Sequence, residues 1–150
     1  MSSSTQISFG NRDDKKAVET GHTFSPKFDD NGLIVAIAQD ADTNEVLMVA
    51  YMNEVSLKQT LEIGEAVYFS RSRQKLWHKG ATSGHTQVVE SILTDCDQDA
   101  LVVKVRQKGP GCCHAGYRSC FYRNIQEAGD PVALGKEIEE QSYDPEKVYG

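Results

Sequence analysis

The chain gathers its metal-ligating side chains into one short part of the sequence. All four cysteines, three closely spaced aspartates and one of the four histidines lie between Asp95 and Cys120. Thiolates are soft ligands that suit zinc, whereas carboxylates are hard ligands that suit magnesium or calcium. The pattern therefore predicts either two different metal sites, or one metal site beside residues that stabilise the fold.

The acidic stretch begins at Asp95 and repeats a carboxylate at Asp97 and Asp99. Its spacing matches the opening of an EF-hand loop, but Ala100 stands where that loop requires glycine and Arg106 where it requires glutamate, so an EF-hand is excluded. In an extended segment the three carboxylates would share one face, where a hard cation such as Mg²⁺ would relieve their repulsion. A solvated acidic turn is the alternative.

The cysteines do not form paired C-x₂-C knuckles, so an ordinary zinc finger is excluded. Cys112 and Cys113 are adjacent, and neighbouring side chains rarely both reach one metal. This favours three ligands, Cys96, Cys113 and Cys120, which leave the fourth zinc position open for water as in catalytic sites. The alternative is a set of buried or disulfide-linked cysteines. His114 is a candidate general acid or base, or else an ordinary core or surface histidine.

Residues 70–84 form a basic segment within an acidic chain. Its basic residues are Arg71, Arg73, Lys75 and Lys79. Serine, threonine and glycine residues are interleaved with them. Such a segment can bind phosphates through charge, hydroxyls and backbone N–H groups, and Trp77 offers a face on which a base can stack. The alternative is a solvated β-hairpin whose tryptophan packs on the core.

Length and composition narrow the class of protein. A chain of 150 residues predicts one domain. The net charge of −6 argues against a partner nucleic acid, and no apolar run approaches the roughly 20 residues that a membrane helix needs. The N-terminus has no apolar stretch typical of a secretory signal. A cytoplasmic protein is expected, and in that compartment cysteines are usually reduced.

Apolar patterning predicts a disordered or loosely attached tail at residues 1–21, a compact domain at 22–128 and a C-terminal tail at 129–150. Strands are predicted at 33–38, 45–52, 66–70, 88–93, 101–105 and 120–125, the first two as a hairpin. The clearest helix starts at Asn53, a good N-cap, and stops at Gly64. This order favours an α+β fold that is predominantly β.

Between residues 24 and 126 the chain resembles the phosphoribosyl-AMP cyclohydrolase family of histidine biosynthesis. The motifs that carry the resemblance occur in order: IAQD at 37–40, MVAYMN at 48–53, SRSR at 70–73, LWHKG at 76–80, TSG at 82–84, DCDQD at 95–99, CH at 113–114 and SCF at 119–121. The resemblance implies small curved or barrel-like β-sheets with one main helix. It also implies an intertwined, domain-swapped homodimer with shared active sites.

The resemblance further implies a set of metal ligands. Cys96, Cys113 and Cys120 match zinc ligands, with one Zn²⁺ per subunit. Three carboxylates match Mg²⁺ ligands: Asp95, Asp97 and Asp99. The sequence departs from the family pattern at Ala81, which is usually acidic, at Ala115, which is commonly threonine, and at Cys112, which replaces a small residue without a thiol. None of these departures removes a metal ligand.

The implied reaction is the hydrolytic opening of the adenine ring of phosphoribosyl-AMP at the N1–C6 bond, by attack of zinc-bound hydroxide at C6. The product is the ring-opened phosphoribosyl-formimino aminoimidazole carboxamide ribotide. His114 is expected to move the proton. Other side chains are candidate substrate contacts: Arg71, Arg73, Trp77, Lys79, Ser83 and Arg118. A purine deaminase and a non-catalytic, zinc-stabilised binding module are the alternatives.

Overall fold

A computed structural model describes residues 6–137 and 140–149 of the chain. Residues 1–5 of the tail predicted at 1–21, and residues 138, 139 and 150 of the tail predicted at 129–150, lie outside the described part. The helices and strands follow in this order: α1 (Lys15–Thr20), β1 (Ile34–Asp40), β2 (Val46–Met52), α2 (Glu54–Ile63), β3 (Val67–Ser70), β4 (Lys75–His78), β5 (Gln87–Thr94), β6 (Ala100–Gln107), β7 (Arg123–Gly129), β8 (Val132–Glu137) and α3 (Pro145–Tyr149). The predicted α+β fold, mostly strands, is confirmed.

A four-stranded sheet in the order β2-β1-β6-β5 carries the core. Strand β1 pairs antiparallel with β2, as the predicted hairpin requires, and parallel with β6. Alternate side chains of a strand point to opposite faces. Leu101, Val103 and Val105 of β6 are fully buried for this reason and pack with Ile34 and Ala36 of β1.

Helix α2 has the predicted ends. The side chain of Asn53 accepts a hydrogen bond from the Ser56 backbone N–H, and the Asn53 N–H donates one to the Ser56 hydroxyl. Gly64 ends the helix with a φ of 77°, a left-handed conformation that glycine adopts without a steric penalty. Leu57 is buried against the sheet, whereas Leu61 lies on the exposed side of the helix.

Strands β3 and β4 form a separate two-stranded sheet, and so do β7 and β8. One isolated bridge between Glu65 and Val88 links the start of the β3–β4 hairpin to β5. Within the described residues the three sheets do not join into one closed set of strands, so the curved or barrel-like sheets expected from the resemblance are not closed into a barrel. Strand β4 falls in the basic segment, where a hairpin was the alternative interpretation, but Trp77 is 38% exposed and does not enter the core.

Both ends of the described chain contain ordered elements. Asp14 caps α1, and Val18 of that helix is buried. The strand predicted at 120–125 starts instead at Arg123 and pairs with β8, in the part predicted as a tail. The predicted boundaries at residues 22 and 128 stay predictions. No helix in the described residues has the length and apolar character to cross a bilayer.

Candidate active site

A cleft of about 600 Å³ opens between the β3–β4 hairpin and the segment that follows β6. We name residues 112–120 the cysteine loop. The cleft is lined by side chains from both parts of the chain: Met48, Ser70, Ser72, Arg73, Trp77, His78, Lys79, Gly80, Ala81, Thr82, Ser83, Cys112, His114 and Cys120. The folded chain thus brings the basic segment and the cysteine loop together, although they are distant in sequence.

Backbone hydrogen bonds fold the cysteine loop back on itself. The N–H of Cys113 donates to the carbonyl of Tyr117 at 3.2 Å, and the N–H of Gly116 donates to the carbonyl of Cys113 at 3.0 Å. Gly116 has a φ of 96°, which permits the tight reversal. The N–H of Ala115 points at the Cys113 sulfur at 3.4 Å. The turn therefore fixes Cys113 and places His114, exposed, at the wall of the cleft.

The thiols of the loop lie beside one another. The Cys112 and Cys120 sulfurs are 4.0 Å apart. The hydrogen bond between them lowers the pKa of Cys112; burial raises this pKa, whereas the Lys79 charge lowers it. The same hydrogen bond raises the pKa of Cys120, since the two sulfurs share one proton. Burial raises the pKa of Cys113, which also interacts with Cys120. Clustered thiols of this kind suit a soft cation such as zinc, which deprotonates the thiols that ligate it.

Cys96 is not part of this group. It is exposed in the turn between β5 and β6. Across the described residues, the one cluster of three metal-ligating groups is formed by aspartates, and Cys96 does not complete a cluster with the other thiols. A single chain therefore brings Cys113 and Cys120 together and leaves the third predicted zinc ligand apart.

The aspartates converge, although their segment is not extended. The Gln98 N–H donates to the Asp95 carbonyl at 3.0 Å, and the Asp95 carboxylate accepts from the backbone N–H of Asp99 at 2.9 Å. The segment makes the turn of the β5–β6 hairpin, so the extended geometry weighed from the sequence does not apply here. Carboxylate oxygens of Asp95, Asp97 and Asp99 still lie within 4.8 Å of one another.

The electrostatics of the aspartate turn suit a hard cation. A side-chain hydrogen bond to Asp95 raises the pKa of Asp99, and burial and the negative charges of Asp95 and Asp97 act in the same direction. Burial raises the pKa of Asp95, but hydrogen bonds from Asp99 and the backbone outweigh it and lower that pKa. Three converging carboxylates offer the oxygen ligands that Mg²⁺ prefers.

Gln98 anchors this turn, and the sequence reasoning did not single it out. Its side chain accepts from the Ser25 N–H at 2.7 Å and donates to the Val18 carbonyl at 2.8 Å. Its carbonyl accepts from the Lys27 N–H at 2.7 Å. Gln98 is buried although it lies between two aspartates. The sequence gives no sign of the N-terminal segment that buries it.

The predicted substrate contacts divide into two groups. Arg73, Trp77, Lys79 and Ser83 line the cleft. The two remaining arginines do not line it: Arg71 stacks on the Tyr51 ring at 4.1 Å, and Arg118 is ion-paired with Glu45 at 2.7 Å and with Asp40.

Lys79 is the buried cation of the cleft. Its side chain is almost fully buried, and Nζ donates to the Cys112 carbonyl at 2.9 Å. Nζ also lies 5.5 Å from the centre of the Trp77 ring. Lysine is rarely buried without a carboxylate partner. This position therefore provides a charge that an anionic ligand can use.

The cleft also holds a polar pair that no sequence pattern indicated. His78 Nε2 lies 2.8 Å from Glu65 Oε1, and both side chains are half-buried. An ionised carboxylate can only accept hydrogen bonds, so Nε2 is the donor. Glu65 thereby orients an imidazole that lines the cleft. The two residues are 13 positions apart and become neighbours through the β3–β4 pairing.

Comparison with known proteins identifies the family of the chain. The family described as phosphoribosyl-AMP cyclohydrolase matches residues 48–122, which include the basic segment, the aspartate turn and the cysteine loop. A protein of that name from Desulforapulum autotrophicum is 58% identical over 118 residues, which cover 79% of this chain and 91% of the relative.

Two further relatives carry the same name. The protein from Rhodopseudomonas palustris is 51% identical over 135 residues, with 89% of each chain covered. The protein from Methanococcoides burtonii is 58% identical over 123 residues, which cover 82% of this chain and 94% of the relative. The chain belongs to the phosphoribosyl-AMP cyclohydrolase family of hydrolytic enzymes.

Proposed function

We propose that the protein opens the adenine ring of phosphoribosyl-AMP by hydrolysis of the N1–C6 bond, giving the ring-opened aminoimidazole carboxamide ribotide in histidine biosynthesis. One observation carries this proposal beyond family membership: a single cleft combines the cysteine-loop thiols and His114 with the cations and hydroxyls of the basic segment. A phosphorylated purine nucleotide needs both halves, one for its anionic groups and one for the reacting ring.

The basic segment is suited to bind the nucleotide. Arg73 and Lys79 provide positive charge at the cleft, and the serine and threonine hydroxyls of the segment provide hydrogen-bond donors to phosphate oxygens. Trp77 presents a partly exposed ring against which a purine can stack. Oriented binding of this kind places the ring against the opposite wall, where His114 lies.

The cysteine loop is suited to hold zinc. Cys113 and Cys120 would be ligands together with Cys96, and one Zn²⁺ is expected per subunit. Bound zinc would activate a water for attack on C6. His114, exposed at the cleft wall, would take up the proton of that water and deliver a proton to the departing N1. The Lys79 charge beside the loop acts to lower the pKa of Cys112 and of Cys120, although the hydrogen bond to Cys112 and burial raise the pKa of Cys120 overall.

The aspartate turn is suited to hold Mg²⁺. Asp95, Asp97 and Asp99 would supply its carboxylate ligands, since their oxygens already converge. Mg²⁺ binds phosphate oxygens as readily as carboxylates, so this site would orient a phosphate of the substrate. The hydrogen bonds of Gln98 to the N-terminal segment hold the turn in place.

Two copies of the chain would complete each zinc site. Cys96 is exposed and separate from Cys113 and Cys120. Large apolar side chains are exposed next to both parts of the ligand set: Leu93 before the aspartate turn and Phe121 after the cysteine loop. An intertwined homodimer in the cytoplasm, in which Cys96 of one copy meets the loop of the other, would bury these side chains and complete the ligands.

The test is a turnover assay of the zinc-loaded protein with phosphoribosyl-AMP and Mg²⁺, in which both the ring-opened product and free ammonia are measured. We expect ring opening without ammonia release, and loss of turnover in Cys113→Ser. Release of ammonia would instead identify a purine deaminase. A tightly held zinc with no turnover of either kind would identify a binding module.

A further inference from the structure

The segment of residues 141–143 lies along the turn of the cysteine loop. The Gln141 side chain donates to the Ala115 carbonyl at 2.8 Å, and the Ser142 N–H donates to the Gly116 carbonyl at 2.7 Å. The Tyr143 hydroxyl donates to the Cys113 carbonyl. Three carbonyls of the four-residue turn are therefore capped by one short segment that lies 26 to 30 residues away in sequence.

The fit between the two segments is close. A Cβ atom placed on Gly116 would lie 2.6 Å from the Tyr143 carbonyl oxygen and 2.9 Å from Cδ of Pro145. Real Cβ atoms do not approach other atoms so closely, so only glycine leaves room for the segment here. The turn and residues 141–143 are therefore packed directly against each other, with Gly116 buried between them.

Tyr143 also contacts the other wall of the cleft. Its ring meets the ring of His85 edge to face, with the centres 5.2 Å apart. The backbone N–H of His85 donates to the hydroxyl of Ser83, which lines the cleft. One tyrosine thus contacts Cys113 through its hydroxyl and the Ser83–His85 segment through its ring. It connects the two parts of the chain that form the cleft.

We propose that residues 141–143 form a positioning strap for the cysteine loop, with Tyr143 as its central positioning residue. The strap holds the Cys113 thiol and the His114 imidazole in the geometry used at the cleft, a role that rests on the proposed function of those two residues. It lies outside residues 48–122, the part that matches the family. The C-terminal segment predicted as a tail is then part of the site.

The physical reason is the small number of bonds that the turn makes by itself. Its own backbone hydrogen bonds are those from Cys113 to Tyr117 and from Gly116 to Cys113. The partners that hold ligand-bearing segments determine metal affinity and side-chain orientation, and small displacements at a site lower the rate steeply. Removing one strap hydrogen bond should destabilise the closed turn by the free energy that a single net hydrogen bond contributes. This corresponds to a change of about two- to tenfold in the equilibrium between the closed and the open turn.

Hydrogen exchange of the metal-free protein tests the strap without any zinc. Tyr143→Phe removes the hydroxyl and keeps the ring against His85, and Gln141→Ala removes the second side-chain bond. We expect peptides covering residues 113–118 to exchange about two- to tenfold faster in each variant. Tyr122→Phe is the matched control, because the Tyr122 hydroxyl makes no hydrogen bond within the described residues; it should exchange like the wild type.

Metal-dependent measurements test what the strap does for the site. In Tyr143→Phe we expect faster transfer of zinc to a chelator and altered thiolate absorption bands when Co²⁺ replaces zinc. We also expect kcat to fall several-fold while KM changes little, because the loop and not the anion-binding wall is displaced. Tyr122→Phe should match the wild type in all three measurements.

Wild-type exchange at residues 113–118 in both Tyr143→Phe and Gln141→Ala overturns the strap, whatever the metal results. Faster exchange with unchanged cobalt bands, zinc release and kcat also overturns it, since the segment would then stabilise the loop without positioning the site. Failure of the proposed function gives a different result: the wild type itself would lack zinc or turnover, or Cys113→Ser would retain turnover.

Discussion

The sulfur atoms of Cys112 and Cys120 lie 4.0 Å apart, so Cys112 contacts a predicted zinc ligand although it is outside the predicted ligand set. Cys112 has other partners. It is almost fully buried in the hydrophobic core, and its thiol donates to the Leu47 carbonyl at 3.2 Å. These contacts explain a cysteine at this position without a metal, so its exclusion from the zinc ligands stays a prediction with a physical basis.

Cys112→Ala should retain one zinc per chain. The substitution removes a weak thiol hydrogen bond and a small volume from the core, so we expect a loss of about 1 kcal/mol in the free energy of unfolding. Zinc content after extensive dialysis and the midpoint of urea unfolding measure the two effects. Cys120→Ser serves as the comparison and should lose zinc. If Cys112→Ala loses zinc as Cys120→Ser does, Cys112 is a ligand.

The parts of the fold that depend on neighbouring residues could be predicted from the sequence. Asn53 and Gly64 set the two ends of α2, and alternation set the buried face of β6. Strand β8 and helix α1 could not be predicted in this way. Val132 and Leu134 of β8 are exposed apolar side chains and do not join the core, and α1 has six residues with one buried side chain, Val18.

The residues of the site also divide into those that the sequence predicts and those that depend on tertiary packing. The sequence showed which residue types could hold metals, and the structure brings the aspartates and two of the predicted zinc ligands together. Partners that depend on tertiary packing were missed. Arg118 was expected at the substrate but pairs with Asp40 and Glu45, and neither Gln98 nor Tyr143 carries a local signal. Such pairings are fixed by strands and loops far apart in the chain.

Lys79→Gln should weaken substrate binding more than any exposed lysine substitution. Its charge is held in the cleft, and a hydrogen bond that involves a charged group contributes about 1.5–3 kcal/mol, equivalent to roughly 10- to 150-fold in kcat/KM. Steady-state kinetics at low and moderate salt measure this loss, which should reside mainly in KM. Lys15→Gln, on exposed helix α1, is the charge-matched control. Equal KM values in the two variants would exclude an anion-binding role for Lys79.

Asp97→Asn should raise the Mg²⁺ concentration that gives half-maximal turnover by about tenfold or more, as expected when one charged ligand of a hard cation is lost. Asp97 is the informative position, because Asp95 also accepts backbone hydrogen bonds that shape the turn. Titration of Mg²⁺ into the metal-depleted enzyme gives the value. Asp30→Asn, an exposed carboxylate elsewhere, should titrate like the wild type; an Asp97→Asn curve that overlays it would remove the aspartates from the Mg²⁺ site.

The ion pair between Asp40 and Arg118 leads to a prediction of how the stability of the protein depends on pH. Burial raises the pKa of Asp40, but backbone hydrogen bonds from Thr43 and Asp42, together with the Arg118 charge, outweigh burial and lower that pKa below its ordinary value. A carboxyl group whose pKa is lower in the folded state contributes stability above its unfolded pKa, about 3.9, and loses it as the pH falls through the folded value. The stabilisation is therefore complete at pH 7.

Asp40→Asn should lower the free energy of unfolding by about 2 kcal/mol at pH 7, since it removes a buried, hydrogen-bonded charge. The difference from the wild type should shrink as the pH falls below about 4. Urea unfolding of the metal-free proteins between pH 7 and pH 3 measures it without acid release of zinc. Arg118→Gln should also destabilise at pH 7, more than Arg106→Gln, because Arg106 pairs with Asp42 and Glu90 in an exposed position. A difference between wild type and Asp40→Asn that stays constant over the whole pH range would show that the Asp40 charge does not contribute.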